Sequence, residues 1–389
     1  MRISRRLLVP GWALLSALTL ASCNSNSVTP NTQGSSTLDL PGASREYAVQ
    51  PATRHGVGHR EFVYIPDCPD NDVFAYKISM RSGKLTPVQG SPFPAGDCAS
   101  GAAADPFGGF LYVPNANEDD ISVFSIEPSN GALTQIAGSP FKEGHHPVGG
   151  AVDPTGRFYY VPGNADRLSA YSIDPKSGAL NAIAGRPQEH PQGDVIDPRG
   201  KFLFVSNQYG NNISAYKIDP SSGKPTAVKG SPFQAGMGPY QLAIDRLGKF
   251  LYATNSDSGD ISAYKISATS GALSAVAGSP FGSGTHPYFL TVHPNDRFVY
   301  VTNYPGNTVS AYHVNPNSGA LTEIAGSPFK TGDGPGGLEV DPSGKYLYVA
   351  NGNSSTVSAY KVGKHGALTP VTGAPFPGGG SSVAITSPY

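Results

Sequence analysis

Phe298-Val-Tyr-Val-Thr-Asn-Tyr-Pro-Gly-Asn-Thr-Val-Ser-Ala-Tyr312 contains two short runs of β-branched and aromatic residues separated by Pro, Gly and Asn. Such runs fit a pleated, half-buried surface, and the turn formers between them read as the loop of an antiparallel pair. Downstream, Ser318-Gly-Ala-Leu321 and Gly326-Ser-Pro-Phe329 add a second turn and a closing motif. Upstream, a brief apolar stretch precedes a tight turn. The unit therefore holds four short strands, A to D.

The unit recurs along the chain. Its first aromatic strand returns as Phe62-Val63-Tyr64, Phe110-Leu111-Tyr112, Phe158-Tyr159-Tyr160, Phe202-Leu203-Phe204, Phe250-Leu251-Tyr252 and Tyr346-Leu347-Tyr348. The aromatic of its second strand returns at Tyr76, Phe124, Tyr171, Tyr216, Tyr264, Tyr312 and Tyr360, at a spacing of 45–48 residues. Asp153-Pro-Thr-Gly156 and Asp174-Pro-Lys-Ser-Gly178 typify the A–B and C–D turns: Asp and Pro start a turn and Gly supplies the positive φ that closes it. No part of the repeat carries a sustained helical period. Seven four-stranded antiparallel units predict an all-β, seven-bladed β-propeller. Unit one lacks its own strand A, and Ser382-Val-Ala-Ile385 is a strand A with no successor, so the C-terminal strand is expected to join blade one and close the ring.

Composition agrees. Charged residues are 14% of 389, Gly (48) and Pro (36) make up over a fifth, and 20 Tyr with 17 Phe argue against disorder. The formal charge of -1 excludes a polyanion-binding protein as the default, so no nucleic-acid partner is expected.

Arg2, Arg5 and Arg6 precede an apolar run from Leu7 to Ala21 that is too short and interrupted to span a bilayer. Its end, Leu20-Ala-Ser-Cys23, resembles the lipobox of bacterial lipoproteins. That resemblance implies cleavage before Cys23, lipidation of Cys23, and an exported protein anchored in the cell envelope, at the outer membrane. An ordinary signal peptide that happens to contain a Cys is the alternative. The expected organisation is a signal peptide over residues 1–22, a flexible tether over 23–53 rich in Ser, Asn and Thr, and the propeller over 54–389.

Asn303-Tyr-Pro-Gly-Asn-Thr-Val-Ser-Ala-Tyr312 and Ser318-Gly-Ala-Leu321 resemble the repeats of the seven-bladed lactonase family. That family includes propeller-type 6-phosphogluconolactonases and is related to YVTN-repeat surface proteins. Its members often carry His-Pro-His-like or Gly-Pro-Arg-His-like segments before strand A. Here these places read His146-Pro-Val, His190-Pro-Gln, Gly238-Pro-Tyr240-Gln241 and His286-Pro-Tyr288, with Tyr240 and Gln241 standing where the Arg-His pair would be.

A sevenfold repeat supplies its own control: what recurs holds the blade, and what departs is a candidate for function. Strand parity puts the A–B and C–D turns on one face and the B–C loops and D–A connections on the other, where a site would lie at the channel mouth. Asn115, Asn207, Asn255, Asn303 and Asn351, with Asp67, recur after strand B and read as Asx-type turns. Departures gather at blades three and four: His145, His146, Asp166, Arg167, Arg186, Glu189, His190 and Asp194.

The family resemblance implies opening of a sugar lactone or similar cyclic ester, which needs a base for water, a donor for the oxyanion and a cation for an acidic substrate. His146, Glu189, His190 and Arg167 are the catalytic candidates. His145, Asp166, Arg186, Asp194, Tyr240, His286 and Tyr288 are candidate ligand contacts. In one alternative the His residues only turn the chain before Pro. In another the ring is a non-catalytic scaffold that binds a glycan, peptide or protein through Tyr209, Tyr240, Tyr288 and Tyr304. Metal-ligand spacings and cofactor motifs are absent from the sequence, so neither is expected. The expected partners are a small lactone or glycan and, through Cys23, a membrane; the chain is expected to be a monomer. Cys68 and Cys98 fall by parity on one face of blade one and are expected to form a disulfide.

Overall fold

The aromatic residue that opens each strand B and the glycine of the next blade's C–D turn meet face to face. In a computed structural model that describes residues 61–163, 167–184 and 190–386, Phe62 covers Gly131, Phe250 covers Gly319, and Tyr346 of blade seven covers Gly83 of blade one. The pattern holds at all seven junctions, and these turn glycines have φ between 71° and 83°. The third residue of strand B completes the joint: the hydroxyls of Tyr64, Tyr160, Tyr252, Tyr300 and Tyr348 donate to the carbonyls of Gly131, Gly223, Gly319, Gly366 and Gly83. A Phe-x-Tyr strand followed one blade later by a Ser-Gly or similar turn is therefore the glue of the ring. A Cβ on Gly319 would lie 2.4 Å from the Phe250 ring. Gly319→Ala is expected to lose about 2–4 kcal/mol through combined left-handed strain and overpacking, read as a lower urea midpoint at unchanged m.

These joints organise seven antiparallel sheets and, among the described residues, no helix. Each sheet runs A to D from the channel outward, and seven apolar clusters fill the gaps between successive blades. Blade one is completed as expected by the C-terminal strand Ala384–Thr386, which pairs Tyr64 with Ala384, Val63 with Ile385 and Phe62 with Thr386. The inner strands are unequal. They have six residues in blades four to seven, as in Pro191–Ile196 and Pro335–Val340, and two or three in blades one to three, as in Ala103–Ala104 and Ala151–Val152.

Two details differ from the sequence reading. A fifth strand joins the expected four: strand D is three residues long, and Gly-Ser-Pro-Phe after it builds a two-residue strand against the start of strand C, as where Phe93–Pro94 pairs with Asp72 and Val73. Between these two pieces a strand-C N–H loses its ladder partner, and the motif's serine supplies it: Ser91 Oγ accepts from Ala75 N at 2.8 Å and Ser327 Oγ from Ala311 N at 3.0 Å. The recurrent Asn is also not an Asx turn. Its amide clamps strand C, as where Asn115 Nδ2 donates to Asp120 Oδ1 (2.8 Å) and Ser122 Oγ (2.9 Å).

Cys68, in the B–C loop of blade one, is disulfide-bonded to Cys98, in the connection to blade two, across 30 residues. Closing a loop of that length is worth about 3–4 kcal/mol in the chain-entropy picture. Replacing both cysteines by Ser is expected to remove that amount from the unfolding free energy, and thiol counting on the denatured, unreduced protein should find this pair unreactive.

Candidate functional site

The inner strands of all seven blades line a central channel that encloses about 310 Å³. Hydroxyls zip most of its seams. Ser206 Oγ donates to Tyr240 O (2.5 Å), Thr254 Oγ1 to Tyr288 O (2.9 Å) and Thr302 Oγ1 to Gly336 O (2.9 Å), each reaching the next blade's inner strand. Ser381 and Ser100 serve the seams around blade two. In blades three and seven the equivalent residues are Pro162 and Ala350, which have no hydroxyl. A carboxyl group bridges each of those two seams instead. Asp194 of blade four accepts from the backbone of Ala151 in blade three, and Glu339 Oε2 of blade seven accepts from Ile385 N in blade one at 2.9 Å. Desolvation is the main cause that pushes both carboxyls up to about 8. Asp194, a candidate from the sequence, thus lines the channel wall. Glu339 escapes the sequence reading, although its equivalents Ala103, Ala151 and Ala243 mark it as a departure.

Blade three breaks the repeat most deeply. Where five other blades carry the Asn clamp and blade one Asp67, it has Gly163, and a Cβ there would lie 2.4 Å from the carbonyl oxygen of His145. The connection into blade three therefore occupies the space of the missing amide. Glu143, at a place held elsewhere by Ala95, Ala235, Ser283 and Thr331, is buried there. Its Oε1 accepts from Ser169 Oγ, a hydroxyl of the type the Asn clamp holds in other blades, and its Oε2 accepts from His145 N at 2.7 Å. Arg167, the first residue of strand C, points Nη1 at His145 Nε2, 3.2 Å away. Guanidinium only donates, so Nε2 is the acceptor and the proton of a neutral His145 sits on Nδ1. Arg167, His145 and Glu143 thus form one buried-to-surface chain on the B–C loop face of blade three.

Arg167 and His145 come together as sequence candidates, and Glu143 joins them unannounced. His146 is held through its backbone: φ is 51° and its N donates to Asp119 Oδ1 at 2.8 Å. Gly238 and Gly334 make the same contact to Asn211 and Asn307, so the bend at His146 belongs to the scaffold. His286 repeats it with φ of 50° and an exposed ring. His190 is exposed and edge-on to Tyr209 at 5.4 Å. Tyr240 and Tyr288 stack on each other with centroids 4.2 Å apart. Asp166, Arg186, Glu189 and Cys23 lie outside the described residues. Among the described residues no group of three or more His, Cys, Asp or Glu is placed to hold a metal ion.

A profile of the family "Lactonase, 7-bladed beta-propeller" matches residues 32–196, 192–289 and 288–384. No curated protein matches in sequence. Among solved structures, a protein of Bacteroides uniformis provisionally assigned as a 6-phosphogluconolactonase superposes with a TM-score of 0.75 at 19% identity, over 84% of this chain and 99% of that one. One of Bacteroides fragilis with the same assignment gives 0.75 at 18% over 86% and 99%. The periplasmic gluconolactonase PpgL of Pseudomonas aeruginosa gives 0.74 at 17% over 85% and 99%. Identities this low carry the fold alone. The family profile, covering most of the chain, carries membership, and the chain belongs to the seven-bladed β-propeller lactonases.

Proposed function

We propose that this chain hydrolyses a lactone of a sugar acid on the B–C loop face of blade three, in the cell envelope. The observation that carries the reading is the Arg167–His145 pair backed by Glu143, built where other blades have an Asn clamp. In the resting site the guanidinium occupies the lone pair of His145 Nε2. A lactone carbonyl draws Arg167 to its oxygen and frees that nitrogen. Water then attacks the carbonyl carbon as His145 takes its proton, and Arg167 holds the oxyanion. The ring C–O bond breaks, and the proton passes to the departing alkoxide, leaving a hydroxy acid. Glu143 acts as a positioning residue through the His145 backbone. The test is hydrolysis of neutral and 6-phosphorylated gluconolactones in a pH-stat. Turnover above the buffer rate is expected, and no turnover of any lactone would overturn the reading.

Placement in the envelope draws support from the lipobox-like Leu20-Ala-Ser-Cys23, from the Cys68–Cys98 bond, a feature of oxidising compartments, and from the likeness in fold to a periplasmic gluconolactonase. Cys23→Ala is expected to release the protein from membranes or block processing. Wild-type protein is expected to label with palmitate, and a soluble, unlabelled wild type would refute the anchor.

A further inference from the structure

The B–C loop face carries charge at blade three and aromatic rings from blade four to blade six. Tyr240 and Tyr288 are the second residues of the successive inner strands Pro239–Ile244 and Pro287–Val292, with rings 4.2 Å apart and inclined by 29° and hydroxyls 2.6 Å apart. The Gln192 side chain bonds to Tyr240. Tyr304, in the B–C loop of blade six, extends the row at 5.8 Å from Tyr288 and is 38% exposed. Phe289 packs edge-on beneath Tyr288 at 5.0 Å. Tyr209 (77% exposed) and Met237 (57%) stand on the same face in blades four and five.

The repeat requires none of these rings. Equivalents of Tyr240 and Tyr288 are Ser100, Val148, Gln192 and Gly336; those of Tyr304 are Ala116, Gln208, Ser256 and Gly352; those of Tyr209 include Asn117, Asp257 and Asn353. The structural tyrosines of strands B and C are buried and most donate to backbone carbonyls, as Tyr300 does to Gly366 and Tyr264 to Gln234, whereas the Tyr304 hydroxyl is part-exposed and meets the Asn353 side-chain amide at 3.5 Å. An exposed aromatic face edged by amide and phenol groups suits a pyranose ring, whose C–H face stacks while its hydroxyls bond at the rim.

We infer that Tyr304 and Tyr209, braced by the Tyr240–Tyr288 stack, form a saccharide subsite. Resting on the lactonase reading of blade three, the inference makes the substrate an aldonolactone that carries at least one further sugar ring. Gln192, Tyr209, Tyr240, Tyr288, Tyr304 and Asn353 include no Lys or Arg to favour a phosphate in place of that ring.

The test compares gluconolactone with cellobionolactone and maltobionolactone, and separately titrates cellobiose, maltose and glucose by calorimetry. The expected result is kcat/KM at least ten-fold higher for a disaccharide lactone, and a disaccharide bound at least ten-fold more tightly than glucose. Tyr304→Ala should erase most of both differences through KM and Kd, leaving gluconolactone turnover unchanged, while Tyr304→Phe should retain them. Equal turnover of all three lactones, or disaccharide binding untouched by Tyr304→Ala and Tyr209→Ala, would overturn the subsite while leaving the lactonase reading intact. Turnover of no lactone would remove the proposed substrate, and disaccharide binding would then be that of a carbohydrate-binding ring.

Discussion

Arg167→Ala should lower kcat/KM toward the lactone that the protein hydrolyses by about 100–1000-fold, the range for removing one preorganised donor to an oxyanion. The loss should fall on kcat more than on KM, because the guanidinium leaves His145 for the carbonyl oxygen only as charge develops there. His145→Ala should cost about 100-fold or more, since its Nε2 is the base that Arg167 uncovers. Arg167→Lys keeps the charge without the planar fork and should recover only part of the rate. Gly163→Ala tests the geometry without touching either group: the new Cβ would drive the His145 carbonyl away, and activity should fall while the wall of Asp194 and Ala151 stays assembled. Unfolding midpoints near wild type in each variant would assign the losses to the site. Wild-type kinetics in Arg167→Ala would place the chemistry elsewhere on the ring.

Stability should fall as pH rises from about 5 to 8, by about 1.4 kcal/mol per pH unit for each proton that the folded state alone retains. Asp194 and Glu339 keep their protons up to about 8 in the folded chain, against about 4 when unfolded. Between those values the folded state binds more protons, so raising pH favours unfolding. The stabilisation is fully present below about 4 and gone above about 8. Glu61, raised to about 7, and Asp67, raised to about 6, act with the same sign. Asp219 and Asp174 are exposed and held low by hydrogen bonds, and they matter only at acid pH. Asp194→Asn keeps an acceptor for Ala151 without a titrating proton. It should flatten the profile, lie close to wild type at pH 5 and exceed it at pH 8.5. Urea midpoints across that range decide the matter, and a flat wild-type profile would mean that neither carboxyl is buried as described.

The fold is legible because its glue is written in short, repeated words. Phe-x-Tyr and the turn glycines recur in register, and the orphan strand at Val383 and Ala384 has only one place to go. Ser91 and its counterparts are opaque for the opposite reason: their bonds to strand C appear only once strand D has ended three residues in. The disulfide is legible because strand parity fixes which face a loop occupies. At the site, comparison among blades picks out His145 and Arg167. It would also pick out Glu143, Gly163 and Glu339 if followed position by position, since each stands where its counterparts agree on another residue type. No sequence rule tells which neighbouring His meets Arg167. That choice is made at Gly163, where the missing Cβ admits the His145 backbone.

The pairing of Phe62–Asp67 with Ala384–Thr386 also sets a timetable. Ribosomes add about 5–20 residues per second, so the first blade begun waits on the order of 15–60 s for its last strand. During that interval the edge of Phe62–Asp67 offers unsatisfied N–H and C=O groups to any extended segment that passes, including its own later strands. The strand Ala384–Thr386 is thus a latch on the vectorial birth of the ring, and a nascent chain stalled before it carries an open, adhesive edge.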